Sequence, residues 1–309
     1  MDLDNNLKNK IESLLEGYPL KQLKEISFSI IDSYHRLDKE KPVVDDDLKA
    51  KIYAVTRMPA TFKAMDEVLN HISIEDEYKT ALDLGAGLGA ASLALSLHGK
   101  INSFDLFEKE EAMRKLGAYL LNDKRFSYRE FDVTRDNIDS KYDIVIVSYM
   151  LNELKQEERK EVFEKVFKAI NHKLIIIEPG TPQGYKIILE ARNFFLSKGM
   201  RIEAPCPHEN ECPMKKDDWC HFATRVRRSK MHRLLKEGDA PYEDEKYSYI
   251  VLAKDEVNRC NARVIRHPII NKGMIKLTAC TSEGIKEVTI RKKDCLYKTI
   301  KNIKVGDTF

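Results

Sequence analysis

Apolar residues recur every three or four positions through residues 4–75, in the segments LKNKIESLL, LKQLKEISFSIIDSYHRL, DDDLKAKIYAVTRM and ATFKAMDEVLNHI. That period predicts amphipathic helices, with Pro42 and Pro59 as boundaries. From Tyr78 the pattern changes. Short apolar runs, TALDLG, INSFDLF, FSYREFDV, YDIVIVSY, KLIIIEP and YSYIVLAK, alternate with the helical segments GAASLALSLHG, EEAMRKLGAYLLND, QEERKEVFEKVFKAI and GYKIILEARNFFLSKG. Near-continuous apolar strands need cover on both faces, so this alternation predicts a doubly wound α/β domain on a parallel sheet. Further on, RVIRHPII, GMIKLTACTS and GIKEVTIRKK read as three short strands with turns at Asn271, Gly273 and Gly284, followed by a short helix in DCLYKTIKNI. The chain therefore divides into N-terminal helices (1–75), an α/β core (76–200), a cysteine-rich and basic segment (201–240), a last core strand (241–255) and a small β appendage with a basic C-terminus (256–309).

At 309 residues the chain can bury a full core without disulfide staples. It contains no run of about 18 apolar residues. Its first segment, MDLDNNLKNKIESLLEGYPL, is too charged for a signal peptide. These features predict a cytoplasmic protein with no membrane partner, and we expect a monomer. In a reducing compartment, six irregularly spaced cysteines suit a metal or redox site better than a disulfide framework. Charge is unevenly spread: residues 221–309 carry 20 Lys and Arg against 11 Asp and Glu, whereas residues 1–220 carry 33 against 39. A basic C-terminal third is the electrostatic footprint of a nucleic-acid partner, with a merely solvated surface as the plainer alternative.

The first chemical motif is LDLGAGLGAAS, where a strand gives way to a helix. Gly85, Gly87 and Gly89 permit a tight turn and close approach of backbone to ligand, and Ala86 lies within that turn. Asp83 precedes the glycines, as in the acidic-x-Gly-x-Gly-x-Gly pattern of class I S-adenosylmethionine methyltransferases, where the carboxylate helps position the methionine ammonium. At the end of the second strand Asp105 or Glu108 could accept bonds from both ribose hydroxyls, and Glu108 is preferred. Asp132 ends the third strand, where an acid can face the adenine amine or cap a helix. Ser148, Tyr149, Asn152 and Glu153 follow the fourth strand. Glu178, Pro179, Gly180 and Thr181 follow the fifth. Together these two groups predict a polar rim. No Asn-Pro-Pro-Tyr element is present and no Pro-Cys nucleophile follows the fourth or fifth strand, so catalysis would rest on positioning the methyl donor against its acceptor.

The second motif is the stretch from Ala204 to Arg233. Cys206, Cys212 and Cys220 are interleaved with Pro205, Pro207 and Pro213, without the short spacing of a zinc knuckle. A fourth ligand could come from His208, His221, Cys260, Cys280 or Cys295, and four thiolates would suit zinc or an iron–sulfur cubane. Trp219 reads as packing beside the site. Directly downstream, Arg225, Arg227, Arg228, Lys230 and Arg233 fall at helical spacing and predict a basic RNA-binding helix.

The segments YAVTRMPATFKAM, LDLGAGLGAAS, SYMLNEL, IEPGTPQG, PCPHENECP, WCHFATRVRRSKMHR and LTACTSEG together resemble the Rsm-type ribosomal small-subunit methyltransferase-like family, found as a mitochondrial small-subunit assembly factor and in bacterial relatives. The pairing of the Cys-Pro-His segment with Trp-Cys-His-Phe carries most of that resemblance. It implies a class I S-adenosylmethionine methyltransferase Rossmann-like fold with a cysteine-rich metal loop. It also implies a [4Fe-4S] cluster on Cys206, Cys212, Cys220 and Cys280, leaving Cys260 and Cys295 outside. The implied partners are the small ribosomal subunit and its rRNA. The implied function is S-adenosylmethionine-dependent methylation there, with a noncatalytic rRNA-binding assembly factor as the alternative.

Overall fold

The computed structural model describes residues 3–35 and 43–309. Pro42 and the last two residues of the second helical segment lie outside the described residues. Four helices lead: α1 (Asn5–Ser13), α2 (Leu20–His35), α3 (Asp47–Thr56) and α4 (Met58–Leu69). Three of these starts have a local cause. Asp4 accepts hydrogen bonds from the backbone N–H groups of Asn6 and Leu7, Asp46 accepts one from Lys49, and Pro59 occupies the first turn of α4. In that turn its missing N–H has no partner to lose.

The α/β succession runs β1 (Thr80–Leu84), α5 (Ala90–His98), β2 (Ser103–Glu108), α6 (Glu111–Leu121), β3 (Phe126–Glu130), β4 (Tyr142–Ser148), α7 (Gln156–Ala169), β5 (Ile170–Pro179) and α8 (Pro182–Ser197). After it come β6 (Arg201–Ala204), β7 (Phe222–Arg227), α9 (Lys230–Leu235) and β8 (Tyr242–Ala253). The chain closes with β9 (Ala262–Val264), β10 (Ile269–Asn271), β11 (Met274–Thr281), β12 (Gly284–Arg291) and α10 (Tyr297–Ile300).

The chain forms two compact units, Met1–Asn171 with Thr224–Glu245, and His172–Ala223 with Lys246–Phe309. In the first unit the strands lie in the order β3-β2-β1-β4, all parallel. Ala81, Leu82, Ile144, Val145 and Ile146 are almost wholly removed from solvent, as strands covered on both faces require. Because β1 has β2 on one side and β4 on the other, connections leave it in opposite directions, and the crevice at its carboxyl end is where such sheets bind ligands.

In the second unit β5 pairs antiparallel with β8, and β8 antiparallel with β6. The sheet expected to be parallel throughout is therefore mixed. The strand period is the same in both directions, so a run of apolar residues does not reveal its neighbour's direction. A second sheet has β11 between β10 and β12, with β9 also paired to β11. Its core gathers Val264, Ile275, Leu277, Ile290, Ile300 and Ile303. The segment RVIRHPII is two short strands here, not one.

The expected basic helix is corrected as well. Phe222, Thr224 and Val226 are buried, and Ala223, Arg225 and Arg227 are exposed, a period of two that makes residues 222–227 a strand. A helix begins only at Lys230, after Ser229, whose hydroxyl accepts the N–H of His232.

Candidate cofactor and thiol sites

The loop between β1 and α5 is built on left-handed backbone. Gly85, Gly87 and Gly89 have φ of 70°, 54° and 74°. A Cβ on Gly85 would lie 2.5 Å from Met150 Cγ, so the residues after β4 pack directly on the turn. Gly85 and Ala86 both donate their N–H groups to the Phe107 carbonyl, at 2.8 and 3.1 Å, which ties the loop to the end of β2.

Asp83 is fully buried below this loop. Its Oδ2 accepts the Ser92 hydroxyl at 2.7 Å and the Ser92 N–H at 3.3 Å, while Oδ1 has no hydrogen-bond partner. Burial pushes its carboxyl up to about 7, against the lowering effect of the Ser92 bonds. A buried carboxylate with one unserved oxygen suits a cationic group of a ligand. Glu108 ends β2, accepting Gly87 N–H at 2.8 Å on one oxygen and Glu110 N–H at 2.8 Å on the other, and burial raises its pKa. Each oxygen retains a lone pair for a hydroxyl. Asp105 accepts the Tyr142 hydroxyl instead, at 2.7 Å.

Asp132 behaves as a local cap. It accepts the N–H and hydroxyl of Thr134 at 3.0 and 2.6 Å and pairs with Lys109 at 3.2 Å. Burial alone would raise its pKa, but these partners leave it lowered. Ser148 closes β4, and Tyr149 after it has φ 58°. The Tyr149 hydroxyl donates to Glu245 at 3.0 Å, and that carboxylate receives a two-pronged pair from Arg57 at 3.0 and 2.9 Å.

Sequence reasoning missed Arg57 and Glu245, which are far apart in the chain, and also Tyr128. The Tyr128 hydroxyl donates to the Gly87 carbonyl at 3.2 Å and fills the space beside Gly117, where a Cβ would come within 2.0 Å of it. A glycine inside an otherwise good helix former was the available signal.

In the second unit, Cys206, Cys212, Cys220 and Cys280 line one cavity with Tyr185 and His208. Cys260 and Cys295 are not part of that lining. All six cysteines are free thiols. The Tyr185 hydroxyl lies 3.2 Å from Cys212 Sγ, and His208 Nε2 lies 3.6 Å from Cys280 Sγ. Burial raises the pKa values of Cys206 and Cys220 and pushes Cys280 up to about 12, with the neighbouring thiols adding to each shift. Two buried guanidinium groups, Arg192 and Arg263, also line the cavity and act against the rise at Cys206. Arg192 donates to the Asn210 carbonyl at 2.6 Å, and Arg263 to Pro205 and Gly306 carbonyls at 2.6 and 2.7 Å. Among the described residues no group of three or more His, Cys, Asp or Glu converges as a metal ion would need. His221 stacks on Trp219, whose indole N–H donates to the Gly180 carbonyl at 3.0 Å.

The five basic residues do not form one face. Arg225 pairs with Asp244 at 3.2 Å and lies 4.0 Å over the Tyr242 ring. Arg227 and Lys230 are exposed. Arg228 turns inward, donating to the Ala240 carbonyl at 3.4 Å, and Arg233 Nε is buried without a hydrogen-bond partner.

The β3-β2-β1-β4 order, the glycine turn and the acidic strand ends define a Rossmann-like fold of the class I methyltransferase type with a mixed set of strands. A family model described as "Mitochondrial small ribosomal subunit Rsm22" matches residues 47–309, and the chain belongs to that family. Human "Ribosome assembly protein METTL17, mitochondrial" is 24% identical over 250 residues, covering 73% of this chain and 52% of that protein. The "Rsm22-cox11 tandem protein 2, mitochondrial" of Schizosaccharomyces pombe is 24% identical over 300 residues, covering 77% of this chain and 39% of that protein. The chain thus spans about half the length, or less, of these relatives. Among solved structures, a precorrin-6y C5,15-methyltransferase of Geobacter metallireducens has a TM-score of 0.42 at 14% identity, covering 63% of this chain and 87% of that one. The cytoplasmic expectation is corrected by these matches, because the family and both relatives are described as mitochondrial. The charge of the first residues and the lack of a long apolar run report on secretory and membrane-spanning segments, not on an organelle.

Proposed function

We propose that this chain binds S-adenosylmethionine at the β1–α5 loop and acts as a methyltransferase on the rRNA of the small ribosomal subunit. In the family's description and its relatives' names that subunit is the mitochondrial one. The observation that carries the reading is the buried Asp83, with one unserved oxygen, beneath three left-handed glycines and beside Glu108. Asp83 would hold the ammonium of the cofactor, Glu108 its ribose hydroxyls, and the loop backbone would approach it closely. The cofactor supplies an electrophilic methyl sulfonium; the protein's part is to fix it and exclude water. Ala86, Ser148 and Asp132 complete the proposed contacts.

Four thiols around one cavity, with Arg192 and Arg263 to balance charge, support a [4Fe-4S] cluster on Cys206, Cys212, Cys220 and Cys280. A cubane takes four cysteine thiolates, the number of thiols on this cavity. A second reading, a noncatalytic assembly factor, is favoured by the segments after β4 and β5, which hold no Asn-Pro-Pro-Tyr element and no Pro-Cys nucleophile.

Calorimetric titration of the anaerobically purified chain with S-adenosylmethionine tests the first reading. Saturable binding that Gly87→Arg abolishes is expected, and the absence of heat with the parent chain would sink the cofactor site. Labelled methyl transfer to purified small subunits then separates the readings. Binding without transfer selects the assembly factor.

A further inference from the structure

The first unit holds a second cavity, of about 250 Å³, that the cofactor reading does not use. Residues of α1, α3, α4, β7 and α9 line it. Part of the lining is apolar, with Ile11, Val55, Pro59, Phe62 and Val226. The rest is strongly basic, with Lys8, Lys63, Arg227 and Arg228 against the single acid Glu12. Lys63 is already paired with Asp66 and Glu67, at 2.8 and 2.9 Å. Arg227 is exposed and has no ion pair among the described residues.

Two buried side chains on this cavity carry unserved nitrogens. His232 is 1% exposed, and although its Nε2 lies 3.3 Å from Glu243 Oε1, its Nδ1 has no hydrogen-bond partner. Arg228 Nε is likewise unserved. Leaving such an atom unserved is unfavourable, and both side chains line the cavity. The cavity has room for several waters, and so for a group larger than one water.

A ligand matched to this lining has an apolar portion and an anionic portion with acceptors. A nucleotide has both: a base that packs on apolar side chains and a phosphate that meets Lys and Arg. Asn5 and Asn9, also in the lining, offer amide donors and acceptors for a base edge. Lys230 is exposed three positions beyond Arg227, so the cationic surface continues past the cavity, as a strand longer than one nucleotide needs.

We propose that this cavity holds one unstacked nucleotide of an RNA strand, its base against Ile11, Pro59 and Val226 and its phosphate on Arg227 and Lys8. The proposal rests on the RNA part of the function above and is independent of the cofactor and the cluster. The test uses the full chain and a labelled single-stranded RNA of about eight nucleotides, within the usual site size of a single-strand-binding groove. Fluorescence anisotropy at low salt reads the affinity. Arg227→Ala removes the phosphate contact, and Asn9→Trp fills the cavity from an exposed position, so neither disturbs the core. Each is expected to weaken binding roughly tenfold, the effect of one lost base or phosphate contact, with S-adenosylmethionine binding and thermal midpoint unchanged. Photocrosslinking with thiouridine-substituted RNA is expected to label peptides containing Asn9 and Arg227. Parent-like affinity in both variants overturns the cavity while leaving RNA binding in place. Failure of the parent chain to bind RNA overturns both. Adenosine monophosphate that binds as tightly as the RNA, and displaces it, overturns the strand in favour of a free nucleotide.

Discussion

The buried Asp83 makes a pH prediction. Its folded pKa of about 7 lies above the unfolded value of 3.8, so the folded chain holds a proton that the unfolded chain releases. The stabilisation is complete below about pH 4, is lost as pH rises toward 7 and is level above it. Denaturant midpoints of the cofactor-free chain at pH 5 and pH 8 should therefore differ less in Asp83→Asn than in the parent. S-adenosylmethionine affinity should follow the opposite course, rising through pH 7 as the carboxylate ionises, and a flat profile would count against the proposed ammonium contact. Gly117 gives a second prediction at this scale. Gly117→Ala gains about 1 kcal/mol of helix propensity. It also forces a Cβ within 2.0 Å of the Tyr128 hydroxyl, an overpacking cost of about 1–3 kcal/mol. Because that hydroxyl also bonds the Gly87 carbonyl, the variant should lose cofactor affinity along with stability. Adding Tyr128→Phe should restore only part of the thermal midpoint, since the ring carbon at 2.5 Å remains.

Among the elements, the β7–α9–β8 region is held by one carboxylate. Glu243 receives Lys236 at 2.9 Å and His232 at 3.3 Å, with Arg228 at 3.9 Å. Burial would raise its pKa, but the His232 and Lys236 contacts outweigh it and lower the value to about 2. Its contribution is therefore present above its ordinary value of 4.5 and is lost as pH falls toward 2. Glu243→Gln is expected to cost about 1–3 kcal/mol at neutral pH, since cations remain partly buried without their partner; the denaturant midpoint reads this directly. The same region shows how legible the elements were. The period of three and four through α1–α4 and the strand–helix alternation through α8 could be read directly. The basic run misled because Arg225, Arg227, Arg228, Lys230 and Arg233 fit a helix, whereas the buried positions 222, 224 and 226 follow a strand. Burial decided, because apolar side chains gain from leaving water and exposed arginines are tolerant of either backbone. The four-residue β6 escaped notice because so short a run shows no period.

For the molecule as a whole, the thiol cavity makes the remaining prediction. Its cysteines come from the loop after β6 and from β11, and buried Arg263 ties the Cys206 segment to the chain's end through the Pro205 and Gly306 carbonyls. Cys280→Ser should lose the visible absorbance and the acid-labile sulfide of anaerobically reconstituted protein, whereas Cys295→Ser should keep both. Retention of a full cluster in Cys280→Ser would exclude it as a ligand. Arg263→Ala should destabilise the chain by about 1–3 kcal/mol for each carbonyl left unserved, read as a lower denaturant midpoint. By itself the sequence determined the strand–helix succession from β1 to α8 and the glycine loop with its acidic neighbours, since these depend on periodicity and on backbone freedom within a few residues. Only the tertiary structure decided that β8 runs antiparallel to β5, that Arg228 and His232 turn inward to a cavity, and that Tyr128 rests on Gly117 and Gly87. Those outcomes depend on which surfaces meet after folding, and contacts between residues far apart in the chain leave no periodic trace in a single sequence.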